Sequence, residues 1–154
     1  MPHIDRLSTL AHEKGLTIAV AESLTSGKLA SAVGAGEDAS EWFAGGVVAY
    51  FTSVKESILG LEPGTDPCSD ACAEQLARGV RDLMDADIGV STTGVGGPDS
   101  DGGHPPGTVH IGWATRESVG SIALLLEGDP PAVLDATVDR VFEALTRLAA
   151  GERP

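Results

Sequence analysis

The stretch Thr17-Ile18-Ala19-Val20-Ala21-Glu22-Ser23-Leu24-Thr25-Ser26-Gly27 decides the fold, because it predicts a buried strand that ends directly before a helix. The first N–H groups of a helix lack partners within it, and the helix dipole adds partial positive charge there. The junction therefore predicts an anion site above the strand end. An ordinary helix cap, which serine and threonine favour in any protein, is the alternative. The candidate binding residues in this turn are Glu22, Ser23, Thr25, Ser26 and Gly27.

The chain has 154 residues, which predicts a single domain over residues 1–154. Only 4% of the residues are aromatic and 20 are glycine, which favours an aliphatic core with many tight turns. Ten Lys and Arg residues against 23 Asp and Glu give a net charge of −13, which argues against extended nucleic-acid binding. A small anionic substrate is still allowed, since one helix terminus and a buried cation can set a local field.

Neither a membrane span nor a signal peptide is predicted. No stretch reaches about 18 consecutive apolar residues. The segment from Met1 to Arg6 lacks the basic and apolar regions of a secretory signal. We therefore expect a cytoplasmic protein without a membrane partner.

The cysteines and histidines predict no metal site and no cofactor. Cys68 and Cys72 lack the spacing of a redox pair or a zinc site, and a buried thiol is the better interpretation of Cys72. The four histidines form no close pair at metal-ligand spacing.

Five strands alternate with helical segments along the chain. The apolar run from Val47 to Phe51, after Gly45-Gly46, predicts a strand covered on both faces and hence central in the sheet. Only four residues separate the last two strands, so they form an antiparallel hairpin. The pattern predicts a three-layer α/β/α sandwich around a mixed, mostly parallel sheet. The predicted strands are 17–21, 47–51, 88–93, 108–114 and 119–126.

Capping residues and apolar stripes define three of the helices. Thr52 or Ser53 is expected to cap the helix that carries Lys55, and Asp70 the next one. Asp129 is expected to cap the last helix, with Pro130 at a position that proline tolerates. The stripe predicted to face the core on the second of these helices consists of Leu76, Val80, Leu83 and Met84.

A glycine-rich loop, Gly94-Val95-Gly96-Gly97-Pro98-Asp99, follows the third strand. Its glycines indicate unusual backbone angles or close passage of the backbone past a ligand, with a plain mobile loop as the alternative. The spacing differs from that of the dinucleotide-binding fingerprint.

Ligands of open α/β sheets bind outside the carboxyl ends of the strands. The strand ends at Ala21, Phe51 and Thr93 are therefore expected to share one crevice. The polar side chains that this arrangement brings together are Ser23, Thr25, Tyr50, Lys55 and Thr93.

Four stretches together resemble the C-terminal domain family of the competence/damage-inducible protein CinA, in the family's order. They are residues 21–27, residues 45–50 with Lys55 and Leu59-Gly60, residues 93–98 and residues 107–109. The resemblance implies metal-independent hydrolysis of the carboxamide of nicotinamide mononucleotide, and a homodimer. It also implies Ser23 as the nucleophile, Lys55 as the general base and Tyr50 as a group that orients or relays the proton.

The resemblance implies that the hydroxyls and backbone of the turn after the first strand and of the glycine-rich loop bind phosphate or the oxyanion. The sequence does not show which of these groups binds which. Glu22 has a second interpretation as a buried acceptor that fixes the turn. For Lys55 and Tyr50 the alternatives are a surface lysine and a packed tyrosine. The implied binding residues are Thr25, Ser26, Thr93, Gly94, Gly96 and Gly97.

The chain departs from the family pattern in one important place. Where the family typically has Gly-Asp-Arg and a second arginine four residues later, this chain has Gly128-Asp129-Pro130 and then Leu134. If either arginine clamps the substrate phosphate, its loss costs about 1.5–3 kcal/mol of binding. The alternative function is therefore a paralogue that binds a nucleotide-like ligand or a protein partner without catalysis. A second, mild departure is Ser26, where many members have glycine.

Overall fold

A computed structural model describes residues 2–154 and contains one five-stranded sheet flanked by helices on both faces. The strands are β1 (Ile18–Glu22), β2 (Phe43–Val48), β3 (Ile88–Gly94), β4 (Thr108–Ala114) and β5 (Val119–Leu125). The helices are α1 (Pro2–Lys14), α2 (Lys28–Gly34), α3 (Ala39–Trp42), α4 (Thr52–Leu59), α5 (Asp70–Met84) and α6 (Pro130–Ala149).

The sheet has the strand order β2-β1-β3-β4-β5. Strand β1 pairs in parallel with β2 and β3, whereas β4 pairs antiparallel with both β3 and β5. Four of the five strands thus run in one direction, and the predicted hairpin is confirmed. The carboxyl ends of β1, β2 and β3 therefore lie on the same side of the domain.

Strand β1 is buried throughout because both of its faces are covered. Ile18 and Val20 belong to the core formed with α1, α2 and α6. Ala19 and Ala21 belong to the second core, formed with α4 and α5. The predicted three-layer sandwich is therefore confirmed.

The predicted central position of the second strand is wrong. Strand β2 lies at the edge of the sheet, and its residues alternate between half-buried and exposed. It ends at Val48, so the aromatic residues Tyr50 and Phe51 lie beyond it and are 62% and 75% exposed. The apolar run identified a strand but included a segment that leaves the sheet.

Helix ends agree with the predictions only in part. Asp129 caps α6 as predicted, by accepting the N–H of Ala132. Helix α5 is capped by Ser69 and not by Asp70, because the Ser69 hydroxyl accepts the N–H of Cys72. The predicted caps of α4 are also wrong, since the residue at the cap position is Phe51.

Two further points concern the helices. Leu83 is 54% exposed and does not face the core as predicted. Within residues 2–154, none of the helices combines the length and apolar character needed to cross a membrane.

Candidate functional site

A cleft of about 550 Å³ lies beyond the carboxyl ends of β1 and β3. Ser23, the first residue after β1, lines it together with Thr93 near the end of β3. Tyr50 and Lys55 line the same cleft from the segment that follows β2. The crevice predicted from the strand ends is therefore present, and it contains four of the five polar residues expected there.

Ser23 and Lys55 are nearly buried, with only 7% and 3% of their surface exposed. The backbone N–H of Ser23 donates to the carbonyl of Thr92 at 3.1 Å, which fixes the turn after β1. Lys55 lies in the first turn and a half of α4 and takes part in none of the ion pairs found among residues 2–154. The alternative of a surface lysine is therefore excluded.

Tyr50 is exposed at the rim of the cleft, so it is not the packed tyrosine of the alternative interpretation. Its phenol oxygen accepts a hydrogen bond from the Ser26 hydroxyl at 3.2 Å. Ser26 itself is not part of the cleft wall. Ser26 can thus act on the cleft by holding Tyr50, which differs from the direct binding role implied by the resemblance.

Glu22 fills the anion site that the sequence predicts at the start of α2. Its carboxylate is buried and accepts the backbone N–H groups of Leu29 at 2.8 Å and Ala30 at 3.0 Å. The remaining N–H groups of this helix start donate to the carbonyls of Thr25 and Gly27. A substrate anion therefore finds no free donor here, and Glu22 has the structural role of the second interpretation.

Two more residues predicted from this turn lie outside the cleft wall. Thr25 is buried, and its hydroxyl forms a 2.8 Å hydrogen bond with the hydroxyl of Thr92. Gly27 precedes α2 with φ of 102°, a left-handed conformation that favours glycine. Both residues shape the turn that places Ser23, and neither lines the cleft in which a substrate would bind.

Thr93 and the glycine-rich loop also line the cleft. The hydroxyl of Thr93 donates to the carbonyl of Pro67 at 2.5 Å, so it is an acceptor toward a ligand. Gly94 is required by packing, because a Cβ atom there would overlap the carbonyl oxygen of Thr108 in β4. Gly96 has open space on its Cβ side, and it lines the cleft together with Gly97.

Sequence reasoning missed a second group of cleft residues. Two loops, 62–69 and 99–107, contribute Asp66, Cys68, Asp99, Asp101 and His104 to the wall. They are joined by a 2.9 Å contact between His104 Nε2 and Asp66 Oδ2. These residues are up to 38 positions apart and form no local motif, so the sequence carries no signal that they meet.

The titration of two of these groups is shifted by their surroundings. The backbone N–H of Cys68, followed by the hydrogen bond with His104, lowers the pKa of Asp66, which keeps this carboxylate ionised. Burial raises the pKa of the Cys68 thiol to about 11. Cys68 is therefore a neutral thiol near pH 7 and a poor nucleophile. Cys72 is buried as predicted, and burial raises its pKa as well.

Both positions at which the family pattern has an arginine lie in the cleft. Pro130 and Leu134, on the first turns of α6, are part of its wall. The replaced arginines would therefore have stood at the candidate site. This location ties the departure directly to ligand binding.

A group with metal-ligand potential exists elsewhere among residues 2–154. His12, Asp38 and Glu41 place one ligand atom each within 4.8 Å of one another, and all three are exposed. His12 Nδ1 already contacts Glu41 at 2.9 Å. None of the three lines the cleft.

The fold and the cleft define an α/β/α domain with a cleft at the carboxyl ends of its parallel strands, where open α/β sheets bind their ligands. The chain belongs to the CinA C-terminal domain family, because the sequence model of that family matches residues 2–149. A CinA-like protein from Frankia casuarinae is 37% identical over 90% of this chain. A relative from Geobacillus kaustophilus, named for competence and damage induction, is 46% identical over 79% of it.

Solved structures agree with this assignment over nearly the whole chain. A CinA superfamily protein from Klebsiella pneumoniae superposes with a TM-score of 0.93 at 28% identity, covering 97% of each chain. A CinA superfamily protein from Enterobacter cloacae gives 0.92 at 28% identity, covering 96% of this chain and 90% of the other. By contrast, the matched region makes up only 33% of the Frankia protein and 30% of the Geobacillus protein.

Proposed function

We propose that this domain is an amidohydrolase that releases ammonia from the carboxamide of a nicotinamide compound, with nicotinamide mononucleotide as the substrate that the family resemblance implies. The observation that carries the proposal is the presence of Ser23 and the nearly buried Lys55 in one cleft. A serine needs a neighbouring base to act as a nucleophile, and a desolvated lysine can serve as that base.

In the proposed reaction, Ser23 Oγ attacks the carboxamide carbon while its proton passes to Lys55 Nζ, which acts as the general base. The resulting tetrahedral intermediate collapses when Lys55 returns this proton to the amide nitrogen, which leaves as ammonia. A water molecule then attacks the acyl-serine ester by the same route and releases the carboxylic acid. Tyr50, at the rim, relays or orients the transferred proton.

Backbone donors of the glycine-rich loop support stabilisation of the oxyanion. The N–H groups of Gly96 and Gly97 form no backbone hydrogen bond among residues 2–154, whereas the neighbouring Val95 donates to Thr108. Free backbone N–H groups in a cleft wall are suited to binding a developing oxyanion. Removing one such donor typically costs a factor of about 10²–10³ in kcat.

Ammonia release from nicotinamide mononucleotide, measured without added metal, tests this proposal. We expect turnover by the wild type and a loss of at least about 10²-fold in Lys55→Met. Lys28→Met is the matched control, because Lys28 lies outside the cleft and pairs with Asp135 on the surface. Equal rates in the wild type and in folded Lys55→Met would contradict the role of Lys55.

A second candidate function is binding without catalysis. The observation that favours it is the apolar pair Pro130 and Leu134 in the cleft wall, where the family pattern has arginines. A purified, folded protein that binds nicotinamide mononucleotide in calorimetry but releases no ammonia would support this candidate. Ready turnover would exclude it.

We also propose that the domain forms a homodimer. Its support is the edge position of β2, beside which Val48, Tyr50 and Phe51 are exposed. Exposed apolar side chains at a sheet edge are typical of an association surface. Light scattering of the wild type and of Phe51→Ser tests this, and a monomeric wild type would contradict it.

A further inference from the structure

The charges of the cleft wall are predominantly negative. Among the cleft residues that the structure describes, Lys55 is the single lysine or arginine, whereas Asp66, Asp99 and Asp101 contribute three carboxylates. The remaining basic side chain of the wall, His104, is paired with Asp66 at 2.9 Å. A phosphate dianion that enters this cleft therefore meets more carboxylates than cations, and repulsion opposes its binding.

The start of α6, which lies in the same wall, cannot bind an anion. Pro130 and Pro131 occupy its first two positions and have no N–H group. The next two N–H groups, of Ala132 and Val133, donate to the side chain and the carbonyl of Asp129. Every donor that a helix start normally offers to a phosphate is thus absent or already used.

The one lysine of the cleft wall lies beside the proposed nucleophile. Lys55 lies one turn after Thr52, the first residue of α4, and both line the cleft together with Ser23. In the proposed reaction this region holds the carboxamide, and the free N–H groups of Gly96 and Gly97 are taken up by its oxyanion. Among residues 2–154, no other lysine or arginine lies in the wall to pair with a distant phosphate group.

We infer that the cleft selects amide substrates without a phosphate group, so that the nucleoside of nicotinamide is hydrolysed in preference to its 5′-phosphate. This inference rests on the proposed amidohydrolase function and specifies its substrate class. The nucleoside carries the cationic pyridinium ring and no phosphate. Its charge is therefore complementary to a wall with three carboxylates.

The ratio of kcat/KM for nicotinamide riboside to that for nicotinamide mononucleotide tests the inference, with ammonia release as the readout for both. We expect a ratio above about ten, and a ratio below about three overturns the inference while leaving the amidohydrolase function intact. If neither compound is hydrolysed, the proposed function fails. The Kd values of the same two compounds, measured by calorimetry, then decide the charge preference by the same thresholds.

Two variants test whether the cleft wall sets this preference. Leu134→Arg adds a cation and Asp101→Asn removes a carboxylate, so each is expected to shift the ratio toward the phosphorylated substrate by about three- to tenfold. Asp139→Asn is the matched control, because Asp139 is exposed on α6 and lies outside the cleft. An equal shift in all three variants, or no shift in the first two, would contradict the assignment.

Discussion

The buried carboxylate of Glu22 is expected to contribute strongly to stability, because it supplies two acceptors to the start of α2. The N–H groups of Leu29 and Ala30 donate to its two oxygens at 2.8 and 3.0 Å. Glu22→Gln keeps one acceptor and turns an NH₂ group toward the other donor, so one charge-assisted hydrogen bond is lost and one N–H group is left unpaired. Each of these effects costs about 1–3 kcal/mol, and because both concern the same N–H group they overlap, so that the expected total is about 2–4 kcal/mol.

Urea unfolding followed by circular dichroism measures this free energy directly. Glu41→Gln is a suitable control, because Glu41 is exposed and contacts only the exposed His12 among the described side chains. For a domain of this size, the expected loss for Glu22→Gln corresponds to a Tm lower by roughly 5–15 °C. The capping role would be refuted if the free energy of unfolding of Glu22→Gln lay within about 0.5 kcal/mol of the wild-type value, which is the accuracy of such measurements.

Three further outcomes follow from the structure. Gly79→Ala should destabilise the domain by about 1–3 kcal/mol, although alanine normally favours helices, because the new Cβ would overlap the Leu59 carbonyl oxygen. Urea unfolding measures this loss. Gly34→Ala is the control, because a Cβ atom there makes only ordinary contacts. Burial alone would raise the pKa of Asp87, but hydrogen bonds from Thr17 and then Arg116 outweigh it and bring it below 3.8. The stabilising effect of the Asp87 carboxylate is therefore present above pH 3.8 and is lost as the pH falls through the lower folded-state pKa. The free energy of unfolding of Asp87→Asn should be about 1 kcal/mol below that of the wild type at neutral pH, and this difference should shrink below pH 3. An equal difference at both pH values would contradict this. Since burial raises the pKa of Cys68 to about 11, iodoacetamide should alkylate the native protein at pH 8 at least about tenfold more slowly than the urea-unfolded protein, and equal rates would show the thiol to be ionised and accessible.

The sequence predicts β1 well because its pattern reflects two covered faces. Ile18 and Val20 pack on one helical layer and Ala19 and Ala21 on the other, so the whole run is apolar. The hairpin of β4 and β5 is equally accessible from sequence, since a four-residue connection leaves no room for a crossover. Both features depend on local information.

The position of β2 could not be obtained in this way. An apolar run indicates a central strand only if every residue of the run belongs to the sheet, and here Tyr50 and Phe51 lie beyond the strand. The sheet order depends on pairing between segments that are far apart in sequence. Local sequence patterns do not predict that pairing.

The candidate site shows the same division. Strand ends placed Ser23, Lys55 and Thr93 together correctly, because topology alone brings the carboxyl ends of parallel strands to one edge. The use of Glu22 as an intramolecular cap depends on a rotamer that closes on α2, and the alternative interpretation was open from sequence. Asp66 and His104 meet only through two long loops, so neither was predicted.

The central claim is that Ser23 is the nucleophile of an amidohydrolase. The most direct test is the kcat of ammonia release by Ser23→Ala relative to the wild type, with the better of the two nicotinamide compounds. Ser57→Ala is the matched control, because Ser57 is exposed on α4 and bonds only to the carbonyl of Val54. We predict a loss of at least about 10³-fold for folded Ser23→Ala and an unchanged rate for Ser57→Ala. A Ser23→Ala protein that keeps its rate within tenfold of the wild type would contradict the claim.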